Sequence, residues 1–310
     1  MKPLLTLVAI SSLALTAYGQ SSADQDTEKA VDGLIEKTKG NLFYVNGGSF
    51  QMGDFGQVDS KTGKLPYTYS DENKYLHEVT LNGYYMASRQ VSYSDFDVYT
   101  KSTGQPDVSI EGFGARFQSP NVPVGVSWNQ AHDYCQWMAE KTGRPYALPT
   151  EAQWEYAART RGEFRPYATD DGTLERGKNA PSKAEIRKTT VDGAAPKAFE
   201  IASIPANPLG IYQMGLNGFE WVNDWYGKDY YEHSPEKNPM GPEEGTEKVL
   251  RGGGFSASDQ GMLTVYRSKA KPDLSRDTSD VADNPRLKEM LSKRAPFETT
   301  FRCVVNESER

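Results

Sequence analysis

The chain holds two cysteines, Cys135 and Cys303, and nothing constrains its fold more than whether they meet. Joined, they close a loop of well over a hundred residues, so a helix-like segment in mid-chain and the last strand-like run must lie side by side. In chain-entropy terms such a link stabilises a fold by roughly 4 to 5 kcal/mol. The compartment decides whether it forms. The opening stretch MKPLLTLVAISSLALTAYGQSS carries one lysine, an uncharged run from Pro3 to Tyr18, and Ala17 and Gly19 where a cleavage site needs small residues. This reads as a secretory signal peptide over residues 1–19. An exported chain meets an oxidising environment, where an even cysteine pair reads first as one disulfide. Two unrelated buried thiols are the alternative. An uncleaved anchor is the alternative for the leader, but its apolar run falls short of the ~20 residues of a span and is diluted by Ser and Thr. No cysteine follows the run to accept a lipid.

About 290 residues remain after cleavage, enough for one large domain with a real core or two small ones. No second apolar run of spanning length occurs, which predicts a soluble, exported protein that does not span a membrane. The balance is acidic, 42 Asp and Glu against 35 Lys and Arg, and no basic block is interleaved with aromatics. Nucleic acid is thereby excluded as an expected partner. Aromatics make up 11% of the chain, and 28 Gly and 18 Pro punctuate it, a mix that suits a loop-rich fold with large rings filling irregular spaces.

Residues 20–40 are polar, with a weak apolar patch at Val31, Leu34 and Ile35, and read as a linker or a loosely docked helix. NLFYVNGGSFQMG (41–53) has strand-type residues broken at Gly47-Gly48, a hairpin signal, and HEVTLNGYYMA (77–87) reads as a second strand pair around Asn82-Gly83. The spacing of Phe96 and Tyr99 predicts a helix over 91–104, capped by Ser92 or Ser94 and stopped at Gly104. SWNQAHDYCQWMAEKTG (127–143) is the clearest helix, with Ser127 as cap and Ala131, Tyr134, Cys135 and Met138 on one stripe. A third helix, over 148–160, has Thr150 and Gln153 in the capping-box pattern. Beyond Gly162 the chain reads as loop until the strand-like IYQM, KVLRGG and TTFRCVV. No internal repeat or domain boundary is visible.

Several phrases, in this order, resemble the formylglycine-generating enzymes, or sulfatase-modifying factors: VNGGSFQMGD, DENKYLHEVTLNGYYMASRQVSYSDF, VPVGVSWNQAHDYCQWMAEKTGRPYALPTEAQWEYAAR, NPLGIYQMGLNGFEWVNDWY, VLRGGGF and FRCVV. They cover nearly all of the mature chain and place the domain at residues 41–306. The resemblance implies one α+β domain of the formylglycine-generating-enzyme fold, C-type-lectin-like, with little regular secondary structure. It also implies a Cys135–Cys303 disulfide. Structural calcium is implied in two loops, a first with Asn179 and Asp192 by side chain and Ala180 and Ala194 by carbonyl, and a second with Gln213 and Glu220 by side chain and Leu216 and Gly218 by carbonyl. Such mixed oxygen sets suit a hard cation. Gln213 departs from the family, which has Asp or Asn there.

In true formylglycine-generating enzymes the GGSF-type strand is followed by two closely spaced cysteines that bind copper(I) as thiolates and activate oxygen. Soft thiolates suit that ion, and here Ala257 and the Gly261-Met262 neighbourhood stand in those places. No copper site, and no catalytic residue, is therefore expected. The iron site of relatives that make sulfur-containing histidine betaines has no counterpart, since His77, His132 and His233 lack its spacing; they read as solvated or hydrogen-bonded histidines. Glu151 and Glu155, an i,i+4 carboxylate pair, read as capping and packing residues rather than catalysts. An insertion over about 272–299 replaces a short turn of the family, and its helix-like NPRLKEMLSKR carries Leu287, Met290 and Leu291 as an apolar stripe for a partner.

The reading is a periplasmic, non-catalytic binding or regulatory protein with a periplasmic or outer-membrane protein partner. It is similar in layout to exported regulators of type VI secretion that act upstream of a threonine-kinase pathway. The alternative is an exported oxidoreductase-like enzyme, as in pyoverdine maturation. That alternative requires polar groups converging on a pocket behind Arg251, Glu220 and Tyr266. A lectin-like ligand-binding module or a cell-wall factor is a more distant option.

Overall fold

The computed structural model describes residues 22–108, 118–191, 195–196, 198–254, 258–275 and 299–308. The signal peptide expected at 1–19, and nearly all of the expected insertion with Leu287, Met290 and Leu291, lie outside the described residues.

Within residues 20–40, expected as a polar linker or a loosely docked helix, Ser22–Gly40 form helix α1. The short stripe of Val31 and Leu34 is buried in the main core with Ile35 packed against it, which explains why so polar a segment is anchored. Lys37 Nζ at its C-terminal end pairs with Asp95 Oδ1 at 2.6 Å.

The next four strands are β1 (Leu42–Val45), β2 (Gly48–Met52), β3 (His77–Leu81) and β4 (Tyr84–Ala87). The sequence suggests two hairpins, β1–β2 and β3–β4, and neither forms. β1 instead pairs antiparallel with β4, β2 with β3, and one register runs through both ladders. The result is a single two-stranded ribbon, bent where Asn46-Gly47 crosses Asn82-Gly83. Backbones touch at that crossing: a Cβ on Gly47 would lie 2.4 Å from the Leu81 carbonyl oxygen, and one on Gly83 would lie 2.0 Å from Tyr44 Oη. The glycines thus serve a crossing rather than two turns.

Helix α2 (Tyr93–Thr103) is capped by Ser92, which accepts from Asp95 N–H, and ends at Gly104 in the left-handed region. Helices α3 (Trp128–Thr142) and α4 (Glu151–Ala158) both open on complete capping boxes, Ser127 with Gln130 and Thr150 with Gln153. The expected stripe of α3 is buried, and all eight residues of α4 are buried, so α4 is a core helix. β5 (Tyr146–Ala147) lies between them. The loop after α4 carries α5 (Lys183–Thr189) and the small pair β6 (Thr190–Val191) and β7 (Ala195–Pro196).

A second sheet collects β8 (Phe219–Trp225), β9 (Lys248–Arg251), β10 (Arg267–Ala270) and β11 (Thr299–Thr300), in the order β10-β9-β8-β11 with β11 parallel to β8. Residues 211–214, expected as a strand, are instead irregular, because Gln213 sits at a φ of 55°. β12 (Val304–Val305) closes the first sheet in the order β1-β4-β12-β5. Just before it, Cys303 bonds to Cys135 of α3 across 168 residues.

Candidate functional site

Strand β9 leads into the segment that the resemblance sets against the copper-binding cysteines. Gly252 follows Arg251 at a φ of 73°, and a Cβ there would meet the Met214 carbonyl oxygen at 2.5 Å, so the turn requires glycine. Ala257 lies outside the described residues. The chain resumes at Ser258 and makes a short 3-10 turn over Gln260–Met262. Met262 is buried in a small cluster with Ala180 and Leu216. Over it lies Arg176, whose Nη2 is 3.9 Å from the Met262 sulfur while its guanidinium pairs with Asp259. Both cysteines of the chain are taken by the disulfide, so no thiolate is available to this segment.

Beside it opens a cleft of about 490 Å³ whose lining includes Tyr67, Phe164, Arg165, Tyr167, Asp171 and Asp259. Phe164, 43% exposed, stacks on buried Phe55 at 4.9 Å. Tyr67 donates to Asp59 at 2.9 Å; burial and this carboxylate hold its hydroxyl protonated, above the ordinary tyrosine range. Arg165 bonds Glu163 through Nε at 2.7 Å and leaves Nη1 buried without a partner. Aromatic walls with mixed charges suit recognition of a polypeptide.

The groups expected to converge behind Arg251 are divided between two closed ion clusters. In the first, Arg251 bridges α4, with Nη1 at 3.0 Å from Glu151 Oε1 and Nη2 at 2.7 Å from Glu155 Oε2. Arg267 holds both Glu151 oxygens, at 2.6 and 2.9 Å, and Arg159 holds Glu155 Oε1 at 2.8 Å. All five side chains are at most 2% exposed. Burial alone would raise the Glu151 carboxyl, but Arg267 and Arg251 hold it below its ordinary value. In the second cluster Arg302 clasps Glu220, Nη2 to Oε1 at 2.6 Å and Nε to Oε2 at 2.7 Å. Trp154 Nε1 and Gln90 Nε2 complete the shell of Glu220 at 2.9 and 3.0 Å. Tyr266 belongs to neither cluster; it packs with Phe55, Leu263 and Val265. Glu151 and Glu155, expected as capping and packing residues, are both committed to buried ion pairs.

The second calcium set does not fit a cation. Both Glu220 oxygens already face cationic or N–H donors, and the Gln213 amide is occupied, its oxygen by Ala202 N–H at 2.7 Å and its nitrogen by the Glu200 carbonyl at 3.2 Å. Leu216 and Gly218 therefore have no side-chain ligands to join. In the first loop Asn179 ties its own turn, accepting from Glu175 N–H at 2.7 Å and donating to Asp170 and to the Thr173 carbonyl. The Ala180 carbonyl accepts from Gly177 N–H at 2.6 Å. Asp192 and Ala194 lie outside the described residues. Among the described residues no group of three or more His, Cys, Asp and Glu side chains is arranged to hold a metal. The histidines are scattered: His77 packs on Tyr231, His132 stacks on Trp128, and His233 is exposed.

Nothing local in the sequence points to the arginines facing these carboxylates. The one usable signal was Glu151 and Glu155 in a segment apolar enough to be wholly buried, which demands cationic partners.

These features define a class: a formylglycine-generating-enzyme scaffold with ion clusters at its centre and no cysteine left for copper. The chain belongs to the sulfatase-modifying factor family, residues 30–281 matching the Sulfatase-modifying factor enzyme 1-like domain. A formylglycine-generating enzyme of Streptomyces coelicolor is 30% identical over 280 residues, covering 75% of this chain and 84% of that relative. A Chlamydia pneumoniae protein named serine/threonine-protein kinase pkn1 is 27% identical over 250 residues, covering 74% of this chain but 35% of its own length, so this chain spans about a third of it. Among solved structures, PvdO from Pseudomonas aeruginosa matches with a TM-score of 0.62 and 25% identity, covering 85% of this chain and 93% of that one. Among the described residues no helix is long and apolar enough to cross a membrane.

Proposed function

We propose that this protein is an exported, periplasmic member of the family that binds and regulates a protein partner, the oxidation of substrate cysteine having been given up. The observation that carries the reading is that both cysteines lie in the Cys135–Cys303 bond, while Ala257 and the Gly261-Met262 neighbourhood stand where the family's copper-binding cysteines would be. A copper(I) thiolate pair cannot be assembled from such residues. The cleft lined by Phe164, Tyr67 and Tyr167 offers a contact surface in its place.

Regulation of type VI secretion upstream of a threonine-kinase pathway is the specific role proposed. The likeness to a segment of a kinase-named relative supports a signalling setting. The second reading, an exported oxidoreductase-like enzyme, is favoured by the likeness to PvdO. One experiment tests the first reading. Mature protein is crosslinked in periplasm and its partners identified, with Phe164→Asp as the control, and in parallel it is loaded with copper(I) and given a sulfatase-motif peptide. A partner captured by the wild type and lost in Phe164→Asp, with no peptide oxidised above the protein-free control, is the expected result. Oxidation of the peptide overturns the reading.

A further inference from the structure

A second cavity lies beside the disulfide, where α1 meets α2 and β4. It encloses about 250 Å³, room for about eight waters at ~30 Å³ each. Val91, Tyr134, Met138, Ile201 and Cys303 form much of the apolar part of a wall that is otherwise polar, with Asn41, Ser92 and Asn121 among its other residues. Thr38 and Lys37 bring α1 to its edge, and the Lys37–Asp95 ion pair fastens that wall to α2.

Two buried polar atoms of residues on this lining, Gln90 Oε1 and Tyr146 Oη, have no partner among the described residues. Gln90 is 3% exposed and Tyr146 2%. The Gln90 amide cannot turn over to relieve itself, because its Nε2 donates to Glu220 Oε1 at 3.0 Å and a flip would set oxygen against carboxylate. A buried polar atom without a partner costs about 1–3 kcal/mol, and Gln90 Oε1 needs a donor while Tyr146 Oη can donate or accept, so the cavity calls for an occupant that can hydrogen-bond. At the same cavity Arg89 and Glu200 contribute opposite charges, and no ion pair joins either of them to another described side chain; Arg89 rests instead over the Tyr212 ring at 5.6 Å.

A wall that is apolar in part, orphaned polar atoms, and two exposed charges of opposite sign that no ion pair joins to another described side chain together describe a zwitterion with an apolar tail. We propose that this cavity binds a free amino acid with an aliphatic side chain, its carboxylate on Arg89 and its ammonium on Glu200. The planar guanidinium of Arg89 matches a carboxylate, and the ammonium brings three donors to a lining short of them. The side chain enters among Val91, Met138 and Ile201. This site is separate from the vacated copper segment and does not depend on which partner the protein regulates. It makes the protein a candidate sensor, because an occupant touches α1.

The test is calorimetry on the mature protein with L-leucine, L-leucinamide, which lacks the carboxylate, and 4-methylpentanoate, which lacks the amine. Leucine should saturate one site. Each truncated probe should bind at least about ten-fold more weakly, the equivalent of ~1.4 kcal/mol. Arg89→Gln should weaken leucine to the same degree and leave leucinamide unchanged, and Glu200→Gln should weaken leucine and spare 4-methylpentanoate. Leucine should also perturb the near-ultraviolet tyrosine spectrum, less so in Tyr146→Phe. Equal binding of all three probes, or no saturable binding of leucine at millimolar concentration, overturns the proposal and leaves a cavity filled by water.

Discussion

At the scale of single residues, the centre of the molecule is held by charge. Removing Arg302 leaves the buried Glu220 side chain with only Trp154 and Gln90 among its described donors. Arg302→Met should therefore cost about 3–5 kcal/mol in urea unfolding. The double variant with Glu220→Gln should lose clearly less than the two single losses added, and strict additivity would falsify the pairing. Asp224 gives a prediction in pH. Burial, with the charge of Glu151 beside it, pushes its carboxyl up to about 8 from an ordinary 3.8. A folded-state pKa raised in this way contributes stability at low pH that is lost as pH rises towards about 8. Lys248, pushed down to about 8 by burial, is charged in both folded and unfolded chains below that pH and adds little slope there. Asp224→Asn keeps an oxygen for Glu151 N–H, 2.8 Å away in the wild type, and removes the titration. Its stability relative to wild type should rise between about pH 4 and about pH 7, measured by chemical denaturation; a flat difference would show that Asp224 titrates normally.

At the scale of elements, legibility followed locality. The caps of α2, α3 and α4 were readable because Ser92, Ser127 and Thr150 act on N–H groups three residues away. The ribbon was not, because Gly47-Gly48 and Asn82-Gly83 carry the same local signal whether a chain turns back or bends past another, and only the distant partner strand distinguishes them. The Glu220–Arg302 clasp was hidden for the same reason: 82 residues separate the partners. Helix α1 shows a different limit, since its burial rests on a stripe too short to outweigh the polar residues around it. Leu34, 5% exposed, anchors that stripe. Leu34→Ala should cost about 2 kcal/mol or somewhat more and should raise hydrogen exchange selectively along residues 22–40. An unchanged melting temperature with unchanged exchange would mean that α1 is docked by Lys37–Asp95 alone.

At the scale of the whole molecule, the fold was legible because six phrases spread along the chain had to come together, and the covalent link between Cys135 and Cys303 restates that requirement chemically. The bond joins α3 to the strand that closes the first sheet, with Cα atoms 5.9 Å apart and both cysteines buried in the main core. A loop of this length makes the disulfide worth roughly 4 to 5 kcal/mol against the unfolded chain. Thiol titration of the denatured, unreduced protein should find no free thiol, and reduction should lower the melting temperature by several degrees. Reduction also tests what the scaffold has kept. The two thiols it frees lie in the core with Phe301 and Tyr134 around them, while Met262 packs in a different cluster with Ala180 and Leu216. Copper(I) offered to the reduced protein should therefore gain no oxidation of a sulfatase-motif peptide. Turnover appearing on reduction would mean that these thiols reach a substrate, and the division between a structural cysteine pair and a vacated reactive segment would have to be abandoned.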